Sequence, residues 1–541
     1  MISCFKVIIR ITLLLLFILG NLFFSTPSCA DKWDSYWATR WQKKADAGDS
    51  EAQFNLGLLY YEGSGVTQDF SLALYWFMKA AQQGNPEAQF NLGLMYYEGQ
   101  GVPQDYPLAQ SWFEQAAKLG DAAAQCNLGV MFAEGQGVDQ NYKIAKEWYE
   151  KASNQGNAQA QWNLGVLYYK GQGVEQDLTL ASFWFEKAAE QGSPEAQFLL
   201  GFMYYEGQGV QQDYNIANEW LLKAALQGHV QAQFNLALML YKGTGIDQNY
   251  YLAFQWFEKA ATQGDIQSAL YLALMYYEGK GVTQNLNEAF KWCRLAAENG
   301  NVEAEFTLGF MYYEGQGTEQ NYAEALSWYQ KAADQDHVEA IYNIGLMYYE
   351  GKGVAQNYHE AFTYCEIAAE KGDPAAQATL GFMYYNGQGT AKDYRKALKW
   401  YEKAADQNNA EAEFNLGVMH YEGKGVGQDF TEALSWYEKA AQQGNSQAEF
   451  NLALMYFEGQ SVAQDYHKAL DWAEKAATQG EIEAQLLLGY IYYEGLGTAK
   501  NLNKAIYWIE KAAKQGDPQA KTMLSELRKQ RRKNHHQTKS P

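Results

Sequence analysis

Residues 52–84 read AQFNLGLLYYEGSGVTQDFSLALYWFMKAAQQG, and this pattern returns every 36 residues along the chain. One glycine marks the register of thirteen repeats without an insertion or deletion: Gly63, Gly99, Gly135, Gly171, Gly207, Gly243, Gly279, Gly315, Gly351, Gly387, Gly423, Gly459 and Gly495. Self-similarity at a fixed period of about 20–50 residues indicates stacked copies of one supersecondary unit. The sequence therefore predicts one continuous array rather than separate globular domains.

Each repeat reads as two helices joined by a glycine-rich turn. Leu56 and Tyr60 lie four residues apart with Gly57 between them, which is a helical spacing. Gly63 supplies the positive φ that ends a helix, and Asp69 stands where the N-cap of the next helix belongs. The position of Asp69 holds Asp or Asn in every repeat, so the second helix has a fixed start.

Small residues recur where the two helices of a repeat must cross. Ala73 and Ala80 have alanine equivalents in every repeat, and the position of Gly57 always holds Gly or Ala. We expect Trp76, which becomes Tyr364 in one repeat, to be the large residue opposite them. Since one helix pair cannot bury its apolar stripe alone, stacked neighbours complete the core. The predicted fold is an all-α solenoid of helix–turn–helix repeats.

The whole unit, A-x-x-x-L-G-x-x-Y-x-x-G-x-G-V-x-Q-D-x-x-x-A-x-x-W-x-x-x-A-A-x-x-G, resembles the Sel-one-like repeat, a relative of the tetratricopeptide repeat. The resemblance covers Ala52 to Gly516. It implies a right-handed superhelix that serves as a scaffold or adaptor for other proteins. Such proteins occur in signalling and quality-control complexes, in bacterial envelope systems and at host–bacterium contacts, and the family shares no catalytic residues.

Residues 1–30 have the layout of a secretory signal peptide, with two basic residues, an apolar run and small residues before a cleavage site after Ala30. A retained membrane anchor is the alternative. Lipidation at Cys29 is a third reading, but the aliphatic residue typical of lipoprotein signals is missing. The sequence thus predicts a protein that is exported and is periplasmic or secreted.

The array is predicted to be closed at both ends by partial repeats. At the N-terminal end, Trp41 aligns the segment with a worn second helix. Alternatively, the three tryptophans Trp33, Trp37 and Trp41 form a docking patch. A disordered basic tail is expected at the end, either simply solvated or weakly associated with anionic lipid or an acidic partner. The predicted bounds are 31–48 for the N-terminal capping half-repeat, 49–516 for the thirteen repeats, 517–532 for the C-terminal capping helix and 533–541 for the tail.

Charge and cysteine content exclude several classes of protein. The formal net charge is −21, and residues 31–527 hold 34 Lys and Arg against 63 Asp and Glu, a surface that repels nucleic acid. Beyond the predicted signal peptide, the cysteines Cys126, Cys293 and Cys365 lie far apart and form no disulfide framework. An exported chain with so few cysteines favours a bacterial protein.

No catalytic motif is found. The mature chain lacks HExxH, CxxC, GxSxG and Walker-type patterns, and its histidines are scattered over different repeats. The EGxGV turns follow a helix rather than a strand, so they do not match a dinucleotide-binding loop. The prediction is a protein that is not an enzyme, with no cofactor, no metal and no small-molecule substrate.

The remaining candidate for a functional site is a binding surface on the repeats. By analogy with tetratricopeptide proteins, the first helices line a concave groove, with the positions of Phe54, Leu58, Tyr61 and Glu62 turned toward it. The tyrosines predicted to contact a partner are Tyr61, Tyr97, Tyr169, Tyr205, Tyr277, Tyr313, Tyr349, Tyr385 and Tyr421. The exposed acids of the same face are predicted to form a negative ladder that includes Glu278, Glu314 and Glu350.

Aromatic rows rimmed by acids suit an extended or helical protein segment that carries basic and apolar residues. The leading hypothesis is an adaptor that holds protein partners in this groove. The alternative is a binding module for envelope glycan or peptidoglycan, because tyrosine faces also stack on sugar rings. A polar, tyrosine-walled cleft would favour glycan, whereas an acidic apolar trough would favour peptide.

Overall fold

A computed structural model describes residues 30–537 of the chain, and side chains within residues 38–532. It divides into two compact units, Met1–Ser268 and Ala269–Pro541, and each is considered by itself. The predicted signal peptide falls almost wholly outside the described residues, as do the side chains of Trp33 and Trp37. Within the described range no helix combines the length and the apolarity that a membrane crossing requires.

All regular secondary structure in the described range is α-helical, which confirms the predicted α-solenoid of helix–turn–helix repeats. The leading helix is α1, Ala30–Asp46, and the closing helix is α28, Pro518–Gln537. The first helices of the thirteen repeats are α2 Ser50–Glu62, α4 Pro86–Glu98, α6 Ala122–Glu134, α8 Ala158–Lys170, α10 Pro194–Glu206, α12 Val230–Lys242, α14 Ile266–Glu278, α16 Val302–Glu314, α18 Val338–Glu350, α20 Pro374–Asn386, α22 Ala410–Glu422, α24 Ser446–Glu458 and α26 Ile482–Glu494. The second helices are α3 Phe70–Gln82, α5 Tyr106–Lys118, α7 Tyr142–Asn154, α9 Leu178–Glu190, α11 Tyr214–Leu226, α13 Tyr250–Thr262, α15 Leu286–Glu298, α17 Tyr322–Asp334, α19 Tyr358–Glu370, α21 Tyr394–Ala405, α23 Phe430–Gln442, α25 Tyr466–Gln479 and α27 Leu502–Lys514.

The closing helix is longer than expected. Residues 533–541 were predicted to be a disordered tail, but α28 continues to Gln537. No Gly or Pro stands between Gln519 and Ser540 to end the helix earlier. Residues 538–541 lie outside the described range.

Side chains fix both ends of each helix in the first repeat, and the pattern recurs along the array. The carboxylate of Asp49 accepts a hydrogen bond from the backbone N–H of Ala52 at 2.7 Å, which caps the first helix. Gly63 ends that helix at φ 75°, a left-handed conformation that costs glycine little. Asp69 then caps the second helix by accepting from Leu72 N–H at 3.0 Å. Short polar residues and glycines at fixed offsets thus set the helix ends in most repeats; Glu481, before α26, makes no side-chain cap hydrogen bond.

The crossing within a repeat pairs Gly57 with Phe77. A Cβ atom at Gly57 would lie 2.7 Å from Cδ1 of Phe77, and the Phe77 side chain is fully buried. The expectation that Trp76 is the large residue opposite Gly57 is therefore wrong. Successive helical residues are rotated by about 100°. Phe77 consequently falls on the buried stripe of Ala73 and Ala80, and Trp76 falls at its edge.

The tryptophan row lies at the border between core and solvent. In most repeats the indole is half-buried, and a lysine three residues later lies over its ring. The Nζ of Lys331 is 3.4 Å from the ring centroid of Trp328, and that of Lys439 is 3.6 Å from Trp436. Such cation–π contacts let a lysine cover apolar surface while its charge stays in water.

Candidate protein-binding surface

The first helices expose one face along their whole length. On α16 the residues Glu303, Thr307, Phe310 and Glu314 follow spacings of four, three and four, which places them on one side of the helix. Glu303 and Glu314 are exposed, Thr307 is half-buried, and the Phe310 side chain is 38% exposed. We call this side of the first helices, with the equivalent positions of other repeats, the first-helix face. On α16 it presents an aromatic centre between acidic ends.

An apolar recess lies between the first helices α14 and α16. Its cavity volume is about 130 Å³. The floor and walls are formed by Ala273, Leu274, Tyr277, Ala289, Phe310 and Met311. The small residue on the floor is the one that the helix crossing requires, so the recess follows from the packing of the repeat.

A second recess occupies the equivalent position at the end of the array, between α26 and α28. Its cavity volume is about 210 Å³. Gly489, Tyr490 and Tyr493 replace Ala273, Leu274 and Tyr277. The closing helix supplies the far wall through Met523, Leu527 and the polar residues Glu526 and Gln530, with Glu526 at the position of Phe310. Two recesses related by the repeat symmetry indicate a periodic property of the first-helix face.

The nine tyrosines predicted to contact a partner are all partly buried. They are Tyr61, Tyr97, Tyr169, Tyr205, Tyr277, Tyr313, Tyr349, Tyr385 and Tyr421. Several hydroxyls reach the turn of the following repeat: Tyr349 donates to Oε1 of Gln388, and Tyr421 to Oε1 of Gln460, each at 2.9 Å. Burial raises the pKa of Tyr61 and Tyr97. The row therefore joins neighbouring repeats through its hydroxyls and offers mainly ring surface to a partner.

The acidic ladder is less uniform than the sequence analysis expected. Glu278, Glu314 and Glu350 are all exposed. However, Glu278 forms an ion pair with Lys280 at 2.8 Å, and Glu350 forms one with Lys352 at 2.7 Å. These lysines occupy a turn position that holds Gln in most repeats, so the negative charge is partly neutralised locally. Glu314 has a glutamine at that position, and no ion pair to it is described.

A buried glutamine row was missed by the sequence analysis. The amide of Gln161 donates to the carbonyl of Ser153 in the preceding repeat at 3.3 Å, and its Oε1 accepts from Gln191 at 2.8 Å. One side chain thus bonds to the second helices of two successive repeats. The sequence did contain a sign of this row: a polar residue recurs with the same 36-residue period as the buried alanine next to it.

Three repeats carry glutamate at this buried position. Glu305, Glu413 and Glu449 are each at most 4% exposed. Their carboxylates accept from the amides of Gln335, Gln443 and Gln479 at 2.6–2.8 Å. An ionised carboxylate has no hydrogen to donate to the carbonyl that the glutamines reach. Burial raises the pKa of all three carboxyl groups, although Lys331, Lys439 and Lys475 oppose the rise.

Two first helices are capped by histidine. The Nδ1 of His229 accepts from Ala232 N–H at 3.2 Å, and that of His337 accepts from Ala340 N–H at 3.3 Å. Each ring stacks on an aromatic side chain of the preceding repeat at 4.6 Å, Phe198 or Phe306. Nδ1 accepts only when it is unprotonated, and burial lowers the pKa of His229. These caps belong to the scaffold and suggest no catalytic role.

Metal binding and thiol chemistry find no support in the described residues. No three His, Cys, Asp or Glu side chains among them are grouped so that they could hold a metal ion. Cys126, Cys293 and Cys365 are free and buried. Burial raises the pKa of each thiol to about 12, so these cysteines remain protonated and act as small apolar core residues.

The Sel1 repeat profile matches thirteen consecutive segments of the chain. They are residues 50–85, 86–121, 122–157, 158–193, 194–229, 230–265, 266–301, 302–337, 338–373, 374–409, 410–445, 446–481 and 482–517. Among curated proteins, none matches the chain.

A solved structure gives the same result. A protective antigen present in uropathogenic Escherichia coli strains, which displays an SLR fold, is 37% identical with a TM-score of 0.74. That similarity covers 84% of this chain and 97% of the antigen. A Sel1 repeat protein from Oxalobacter formigenes is 32% identical over 57% of this chain and 90% of its own, with a TM-score of 0.49. The repeats are thus of a kind that commonly mediates protein interactions and is typically non-catalytic.

Proposed function

Because this chain belongs to the Sel1 repeat family, we propose that it is a non-catalytic scaffold that holds a protein partner along its first-helix face. The observation that carries the proposal is the pair of equivalent, largely apolar recesses, one between the first helices α14 and α16 and one between α26 and the closing helix α28. A scaffold of this kind gains affinity by repeating a modest contact along the array.

The character of this face favours peptide over glycan. The first recess is walled by Leu274, Phe310 and Met311, with the exposed acids Glu303 and Glu314 one turn or more away on α16. Sugar recognition needs hydroxyl donors and acceptors that face the ligand. Seven of the nine tyrosines instead bond through the hydroxyl to the next repeat, as Tyr349 does to Gln388. Basic and apolar side chains are the complement of such a surface.

We further propose that the partner is met outside the cytoplasm, in the envelope or at a host contact. The support is the layout of residues 1–30, with basic residues before an apolar run and small residues before Asp31. The similar Escherichia coli protein is a protective antigen. The chain from Asp31 onward is therefore the form to test, and an envelope extract is the first source of partners.

The partner captured from that extract should bind less tightly as salt rises. Contacts between exposed charges are each worth about 0–1 kcal/mol and are screened within about 8–10 Å at physiological ionic strength. We expect the triple variant Glu278→Lys, Glu314→Lys and Glu350→Lys to bind the partner far more weakly than any of the three single variants. Among the single changes, Glu314→Lys should have the largest effect, because the other two acids are already paired. Calorimetry at low and high salt measures both effects.

A matched control removes the influence of net charge. Glu324, Glu402 and Glu432 are exposed acids on second helices, and changing all three to Lys alters the charge of the chain equally. We expect this control to bind nearly as well as the wild type. Equal weakening by the two triple variants, or binding that does not respond to salt, would show that the first-helix acids do not contact the partner.

A further inference from the structure

The size of the recesses limits what they hold. Their volumes of about 130 and 210 Å³ lie below the roughly 300–1,000 Å³ typical of small-molecule sites. Each recess therefore has room for about one side chain rather than for a whole ligand. Intermediate junctions keep the same elements: small floors at Gly309, Gly345, Gly381, Gly417 and Ala453, and apolar walls at Phe310, Leu346, Phe382, Val418 and Leu454.

The spacing of the recesses limits the conformation of the partner. In this unit the first helices α20 and α22 of adjacent repeats contact each other. We take the roughly 8–10 Å separation of packed helices as the interval between recesses. A β-strand places side chains of one face only about 7 Å apart. Polyproline II has three residues per turn and a rise of about 3.1 Å per residue, so every third side chain faces the same way at about 9 Å. Polyproline II thus matches the repeat where a strand does not.

The surroundings of the recesses limit the charge of the partner. Exposed acids stand at both ends of several first helices of this unit, with Glu303 and Glu314 on α16 and Glu339 and Glu350 on α18. Of these, Glu350 is paired with Lys352, and Glu303 and Glu339 lie 3.3 and 3.5 Å from the ring nitrogens of His337. The side chains of Glu303 and Glu339 are each 62% exposed. In a bound polyproline II segment, the two residues between successive inserted side chains would project to the sides, toward these acids. Basic residues there would be complementary in charge.

We propose that the first-helix face of residues 269–541 binds a basic polyproline II segment, with one apolar side chain of every three in successive recesses. The three most exposed aromatic side chains of this face, Phe310, Phe382 and Tyr490, are 38%, 38% and 44% exposed and provide the main contact area. Aromatic-lined grooves are a recurring way to recognise this conformation, because it is already ordered before binding. This inference rests on the proposed function and specifies its partner.

Three synthetic peptides test the proposal against the chain from Asp31 onward. The first repeats Leu-Pro-Lys five times, the second has the same composition with the leucines clustered, and the third is a basic helix with leucine at every seventh position. A helix also repeats about every 10.5 Å at this interval, so it is the strongest competing geometry. We expect the first peptide to bind at least about tenfold more tightly than either other peptide, a difference of about 1.4 kcal/mol.

Two matched triple variants locate the binding. The triple variant Phe310→Ala, Phe382→Ala and Tyr490→Ala should bind the first peptide at least about tenfold more weakly than the wild type. Leu295, Ile367 and Tyr507 are 39–52% exposed on second helices of the same unit, and their replacement by alanine should leave its affinity unchanged. Circular dichroism verifies that both variants remain helical.

The outcomes separate this inference from the proposed function. Tighter binding of the clustered or helical peptide, or equal loss in both triple variants, overturns the polyproline II inference. A different outcome is that no peptide binds, while the captured partner binds the wild type but not the variant with alanine at Phe310, Phe382 and Tyr490. In that case the polyproline II inference fails and the proposed function stands. If that variant binds the captured partner as well as the wild type does, the proposed function fails as well.

Discussion

Replacing Gly165 with leucine should loosen the helix pair α8–α9 and destabilise it by about 1–3 kcal/mol or more, the usual range for overpacking a core. A Cβ atom at Gly165 would lie 2.6 Å from Cε1 of Phe185, so even the first added carbon collides with a fully buried ring. A leucine adds three further carbons to the same contact. Since the ring is enclosed by buried alanines, it has little room to move.

Hydrogen exchange is the appropriate measurement for this variant. Contacts in a repeat array are between neighbours, so unfolding need not be two-state, and a local probe reports the damaged repeat directly. We expect faster amide exchange in residues 158–193 than in distant repeats. Gly165→Ala is the control: its single added carbon requires the Phe185 ring to shift, as the ring of Phe257 accommodates Ala237 at the equivalent position, so its effect should be clearly smaller than that of leucine. Wild-type protection in the leucine variant would mean that Gly165 is not at the crossing.

Replacing Glu305, Glu413 and Glu449 with glutamine should stabilise the chain at neutral pH. Glutamine at this position donates to a carbonyl of the preceding repeat, as Gln377 does to Ala369 at 3.1 Å. The carbonyls of Ala297, Ala405 and Ala441 that the new amides would reach already accept one backbone N–H each. Each substitution therefore adds a second hydrogen bond to a carbonyl, worth about 0.5–1.5 kcal/mol, and removes a buried carboxylate, so three substitutions should raise the melting temperature measurably. The amides that now donate to the carboxylates can donate equally to the new amide oxygens.

This stabilisation should disappear in acid. Burial raises the pKa of the three carboxyl groups above that of the unfolded chain, so the folded protein binds protons more readily. The unfavourable effect of the carboxylates is fully present above the folded pKa and is lost as pH falls below the unfolded value of about 4.3. The difference in melting temperature between variant and wild type should therefore shrink from pH 7.5 to pH 4.

A reverse substitution gives the matched control. Gln161→Glu introduces a carboxylate into a repeat that has none at this position, and it should destabilise at pH 7.5 and do so less at pH 4. A difference between the triple variant and wild type that stays constant with pH would contradict the assigned protonation. So would a glutamate variant as stable as the wild type at neutral pH.

The architecture was predictable because every local signal is repeated. Asp49, Gly63 and Asp69 each mark a helix end by side-chain or backbone chemistry that acts within four residues. Because the same residues recur in thirteen repeats without an insertion or deletion, the helix ends inferred in one repeat could be applied to the whole array. The placement of Leu58 and Glu62 was an expectation from the tetratricopeptide analogy; in the structure Glu62 is exposed and Leu58 is half-buried.

Contacts between repeats were not predictable in the same way. Tyr61 and Gln53 bond to groups in neighbouring repeats, and their partners depend on how helix pairs stack, which no local pattern specifies. The assignment of Trp76 to the crossing failed because neighbouring positions of a helix differ by about 100°, and size alone did not separate it from Phe77. The recurring lysine three residues after the tryptophan was the available sign of an edge position.

Photo-crosslinking tests most directly whether a partner lies on the first-helix face. A photoreactive phenylalanine analogue is placed at Phe310 or Phe382 on first helices, and at Ile367 or Tyr507 on second helices, all of which are exposed to a similar degree. Each variant, starting at Asp31, is irradiated with the partner captured from the envelope extract. We predict a crosslinked partner at Phe310 and Phe382 and none at Ile367 or Tyr507. Crosslinks only at the second-helix positions, or equally at all four, would contradict the proposed mode of binding.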